Sequence, residues 1–110
     1  MRTMLMLALA ALLTISVAPA FADEVDLAAK VSAAKTAADH EAIANEYAKE
    51  AAEAEAAATK HDKMAKAYLG KLGQYHAEQH CTALAKQYRE QAKELNALAD
   101  AHRAEAKAVK

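Results

Sequence analysis

From residue 40 onward, large or chemically active side chains return every seven residues, with alanine beside them at the same interval. His40, Tyr47, Ala54, His61 and Tyr68 form one such column, and Ala44, Ala51, Ala58 and Ala65 run next to it. A second column holds Cys81, Tyr88, Leu95, His102 and Val109, flanked by Ala85, Ala92, Ala99 and Ala106. Seven residues are close to two turns of α-helix, so each column lies on one face. The pattern predicts two long helices whose facing stripes alternate medium and small residues, an arrangement that lets antiparallel helices approach closely. The only two glycines, Gly70 and Gly73, fall between the columns. They mark the connection of an αα-hairpin, with Gly70 suited to the left-handed backbone that ends a helix. Upstream, Thr36-Ala-Ala-Asp39 reads as a capping box. The long first helix then begins near Ala37, preceded by a shorter helix from about Glu24 to Lys35, or by a continuous helix starting at Glu24.

The two columns look like copies of one pattern. A shift of 41 residues lays His40 on Cys81, Ile43-Ala44 on Leu84-Ala85, Tyr47 on Tyr88, Glu53 on Glu94 and His61 on His102. Alanine-rich chains match themselves easily, but Tyr, Glu and His are scarcer and they match too.

Composition narrows the class to all-α. The 110 residues are 55% apolar yet hold two Gly, one Pro, one Phe and no Trp, too few turn formers for sandwiches, barrels or phosphate-cradling loops. A net charge of -1 with no basic run argues against nucleic acid as a partner. The first residues read as a secretory signal: Arg2, an apolar stretch from Met4 to Val17, and small residues in Ala20-Phe21-Ala22 that suit cleavage after Ala22. The stretch is shorter than the roughly 20 residues that span a bilayer, so no membrane insertion is expected after cleavage. The chain therefore divides into a signal (1–22), an N-terminal segment (23–36) that is helical or partly flexible, and a hairpin domain (37–110). Taking 22 from 110 leaves 88 residues with few large apolar groups. A lone hairpin of that composition has a marginal core, so a homodimer closing a four-helix bundle is expected.

Candidate chemistry rests on five His, one Cys and Met64. A fold about the middle of Gly70–Gly73 places residues whose numbers sum to about 143 opposite one another, which sets His61 near Cys81 and His40 near His102. His76 and His80, at i and i+4, form an imidazole clamp, with Cys81 beside them and His61 and Met64 approaching from the other arm. Imidazole, thiolate and thioether together suit copper, and imidazole with thiolate suits zinc. The metal set expected near the loop is therefore His61, His76, His80, Cys81 and Met64, with His40 and His102 secondary and copper, zinc or nickel as the ion. The bland alternatives are packing histidines bonded to Glu78, Asp62 or Glu105, a gap-filling Met64, and solvent-exposed His76 and His80. Cys81 is a ligand, a disulfide partner across a dimer, or a small buried residue. Catalysis and haem attachment find little support: a two-helix hairpin offers no oxyanion pocket, and Cys-x-x-Cys-His is absent.

The general look resembles small exported bacterial helical proteins linked to metal tolerance or envelope stress, without the Leu-Thr-x-x-Gln motifs of the metal-responsive chaperones among them. The expectation is a non-enzymatic periplasmic protein of metal storage, tolerance or trafficking. Its rival is a structural, adaptor or chaperone-like protein that oligomerises through the Ala/Tyr seam, with Cys81 forming an inter-subunit disulfide.

Overall fold

A computed structural model describes residues 21–71, 73 and 75–110. Most of the expected leader, residues 1–20, lies outside these. The described residues form three α-helices and no strand: α1 (Phe21–Ala33), α2 (Ala37–Tyr68) and α3 (Tyr75–Ala108). None is long and apolar enough to cross a membrane. Helix α1 runs across the expected cut after Ala22.

The chain breaks between α1 and α2 because Thr36 and Asp39 satisfy the first turn of α2 from outside it. Thr36 Oγ1 accepts from Asp39 N at 3.1 Å, and Asp39 Oδ2 accepts from both Lys35 N and Thr36 N at 2.9 Å. This reciprocal box uses two otherwise orphaned backbone donors. Those donations hold the Asp39 carboxyl below its ordinary range, the bond from Lys35 first and that from Thr36 next. The alternative of a continuous helix from Glu24 is thereby excluded. At the other end α2 stops at Tyr68, and both Gly70 and Gly73 have positive φ, +73° and +77°. Nothing stands where a side chain would go at either position, so backbone conformation alone asks for glycine there.

Nearly all tertiary packing joins α2 to α3, with a small contact between α1 and α2. Contacts run in opposite order along the two long helices: His40 meets His102 toward one end, and Asp62 meets Arg89 toward the other. The buried residues are the alanine columns, Ala44, Ala51, Ala58 and Ala65 on α2 and Ala85, Ala92, Ala99 and Ala106 on α3, together with Ile43, Ala54 and Cys81. Tyr88 and Leu95 close over Ala51, Ala54 and Ala92 in the middle. Of the described large side chains only Ile43 is fully buried, at 1% exposure. Apolar burial is the main favourable term in folding, so a core of methyl groups leaves this pair of helices thinly stabilised.

The 41-residue repeat carries through to three dimensions. His102 stacks on Tyr47, with ring centroids 5.8 Å apart and planes 23° apart. His61 stacks on Tyr88 at 5.5 Å and 10°. Adding 41 to Tyr47 and His61 gives Tyr88 and His102, so exchanging the two helices turns one stack into the other. The sequence repeat is thus a local two-fold relation between α2 and α3.

Helix α1 breaks that relation. It lies against one flank of α2, with Lys30 Nζ 3.9 Å from Glu46 and with Asp26 and Leu27 in a cleft beside Lys49, Glu50 and Glu53. No third helix occupies the corresponding flank of α3 among the described residues. Ile43 on the α2 flank is 1% exposed, while its repeat mate Leu84 is 37% exposed and Leu98, two heptads further along that flank, 43%.

Candidate functional site

The expected metal cluster near the loop does not assemble. His76 and His80 are exposed, whereas Cys81 is buried at 6% exposure on the face toward α2. Successive helical residues point about 100° apart, which separates His80 from Cys81. Met64 is half-buried but lines an open groove with Ala56, Thr59, Lys60, Lys63 and Ala67, all on α2, rather than turning toward α3. His61 is held by its stack on Tyr88, two turns from Cys81 along α3. Among the described residues no three His, Cys, Asp or Glu side chains stand where they could share an ion.

The pair treated as secondary is the one that the fold brings together. His40 Nδ1 and His102 Nδ1 are 3.0 Å apart, with ring centroids at 5.3 Å and planes 29° apart. His102 is thus held between His40 and Tyr47. Each ring nitrogen offers either a proton or a lone pair, so the contact needs opposite roles on the two rings: one donates N–H and the other accepts. Both residues are half-buried at the end of the helix pair where α2 begins, close behind the Thr36–Asp39 box.

The other histidine in the seam has no such neighbour. His61 Nδ1 is buried and makes no hydrogen bond. Its helix neighbour Asp62 does not serve it: Asp62 takes a hydrogen bond from Arg89 of α3 instead. That bond holds the Asp62 carboxyl below its ordinary range and the Arg89 guanidinium above its own, each through the hydrogen bond first and the charge of the partner next. Among the described residues, His40 and His102 bond each other and His61 Nδ1 bonds nothing, so Glu78, Asp62 and Glu105 do not hold these ring nitrogens. The Asp62–Arg89 pair was not anticipated from sequence. Its signal was present in the numbers, since Asp62 and Arg89 each directly follow a member of the His61–Tyr88 stack.

Cys81 is a free thiol within the chain. Repeat symmetry places it where His40 sits in the other arm. The chain matches no protein family, no curated protein and no solved structure.

Proposed function

We propose that this is an exported, non-enzymatic helical protein whose working part is a hairpin of α2 and α3 that pairs with a second copy into a four-helix bundle. The observation that supports it is the unequal treatment of the two flanks: Ile43 is covered, while Leu84 and Leu98 stand 37% and 43% exposed on the same stripe of α3. Both leucines lie off the α2-facing seam, as the second contact face of a bundle helix requires. An alanine seam buries too little apolar surface to hold two helices firmly, and a partner along Leu84 and Leu98 supplies what is missing. Sedimentation equilibrium on the chain from residue 23 tests this. A dimer that Leu84→Gln with Leu98→Gln converts to monomer is expected; a parent that stays monomeric at its highest soluble concentration defeats the reading.

A second role has its own supporting observation. Two ligands at ~2.0–2.1 Å from one ion, at angles between square-planar and tetrahedral, lie about 2.9–3.4 Å apart. The 3.0 Å between His40 Nδ1 and His102 Nδ1 falls in that range, so zinc or copper(II) could replace the shared proton. We therefore assign transition-metal binding to this pair in place of the loop-end cluster. Isothermal titration of Zn(II) and Cu(II) separates the outcomes: His102→Ala loses binding if the assignment holds, and unchanged binding in that variant refutes it.

A further inference from the structure

The His40–His102 pair is two donors short of a complete metal site. The two Nδ1 atoms stand 3.0 Å apart, with the His102 ring held between those of His40 and Tyr47. Among the described residues no third His, Cys, Asp or Glu stands where it could share an ion with them. Protein-held zinc and copper(II) take four donors, tetrahedral for the first and tetragonal for the second. An ion on this pair therefore keeps half of its coordination open to whatever approaches.

The place of the pair in the fold says what can approach. Both residues are half-buried at the end of the seam where α2 begins, so the pair is within reach from outside the chain. Leu98 precedes His102 by four residues, one turn of α3, so the 43% exposed leucine and the histidine adjoin on the helix surface. The flank assigned above to a second copy thus runs up to the His102 ring. In a four-helix bundle whose two-fold axis runs along the helices, residues at one height on the two hairpins face each other across the core. A layer that holds His40 and His102 then meets the same two residues of the second copy. Helical bundles build metal sites in this way, from side chains on facing helices. Water in the two open positions makes a weaker site, because two further imidazoles arrive already tethered once the copies are in contact.

We propose that the His40–His102 pairs of two copies share one divalent ion, zinc or copper(II), in a four-histidine site on the two-fold axis of the bundle. The inference rests on the metal assignment made above for this pair and adds that the ion belongs to the dimer. Each ring coordinates through Nδ1. The ring that donates in the metal-free pair passes that proton through solvent to its own Nε2, so four neutral imidazoles face the ion and no proton is lost. The stack on Tyr47 holds the His102 ring in position. Metal and pairing then reinforce each other: the ion binds more tightly as chain concentration rises, and the dimer tightens when the ion is present.

The test is sedimentation equilibrium of the purified protein with and without Zn(II), with bound zinc counted by a chromophoric chelator. One zinc per two chains is expected, and the ion should lower the dimer dissociation constant at least about tenfold. His40→Ala and His102→Ala should each pair no better with zinc than the parent does without it. Their helicity by circular dichroism and their zinc-free sedimentation, both expected to match the parent, separate loss of the site from loss of the fold. Electron paramagnetic resonance of the Cu(II)-loaded parent gives a second reading, with coupling to four imidazole nitrogens expected rather than two. One zinc per chain on a monomer, or coupling to two nitrogens, overturns the shared site and leaves the metal assignment standing. A parent that binds neither ion overturns both. A zinc-strengthened dimer that survives in His102→Ala puts the ion elsewhere and also overturns the proposal. A parent that is monomeric without zinc and dimeric with it defeats the leucine-driven bundle and supports the shared site.

Discussion

Ile43 and Leu84 occupy the same place in two copies of one pattern, yet one is 1% exposed and the other 37%. The two side chains are isomers, and the two arms differ in what lies beside them. Helix α1 folds back along the α2 flank, with Lys30 against Glu46 and Leu27 in the cleft by Glu50, whereas α3 has only solvent there within the described chain. The histidine pairs differ in the same manner. His40 and His102 meet through their Nδ1 atoms, while the buried Nδ1 of His61 is left without a partner. A duplicated helix thus supplies two equivalent frames, and specialisation comes from small departures: an added helix on one flank and a cysteine in place of a histidine.

The contrast can be broken at several strengths. Ile43→Ala removes the only fully buried large side chain among those described and should cost about 2–5 kcal/mol, whereas Leu84→Ala should cost the isolated chain well under half of that. Urea denaturation of both variants below the dimer concentration checks the ratio; equal losses would mean that the two flanks are equivalent. Ala92→Leu, at a position with no exposure, forces the helices apart in the middle of the seam and should cost about 1–3 kcal/mol. A neutral Ala92→Leu would show that the alanine columns do not set the helix separation. Thr36→Ala removes one half of the capping box at the junction that folds α1 back, with an expected loss of about 0.5–2 kcal/mol by thermal unfolding.

Acidity gives the smallest and most local probe. The folded state holds Asp39 and Asp62 below the ordinary carboxyl range, so the unfolded chain takes up protons first as pH falls. The stability these groups lend is fully present above the unfolded carboxyl value, near 4, and is lost as pH drops through their folded values. Asp39→Asn and Asp62→Asn should each be less stable than the parent at neutral pH, and that deficit should shrink below about pH 4. Denaturant midpoints across this range provide the check, and a deficit that does not change with pH would remove the carboxylates from the account.

Much of this was readable in the chain. The capping box at Thr36 and Asp39, the glycines at the end of α2, the heptad columns and the meeting of His40 with His102 follow from local chemistry and from a fixed helical period. The loop-end cluster failed for a reason that also lies in that period. His76 and His80 share a face with each other but not with Cys81, and close spacing in sequence overrode the angular separation. Met64 misled in the same way, being one turn from His61 yet turned to the outer groove of α2.

By itself the sequence determined that the molecule is helical, where α2 begins, where the chain can reverse, and that its two arms repeat. Those features are local, set by capping bonds, backbone freedom at glycine and the spacing of side chains along one helix. Only the tertiary structure decided which ring nitrogen finds a partner, that Asp62 goes to Arg89, and that α1 covers one of two equivalent flanks. Each of these depends on how far one helix slides and turns against another. In an alanine seam, a shift of a single turn leaves the pattern of small residues intact while changing every functional neighbour.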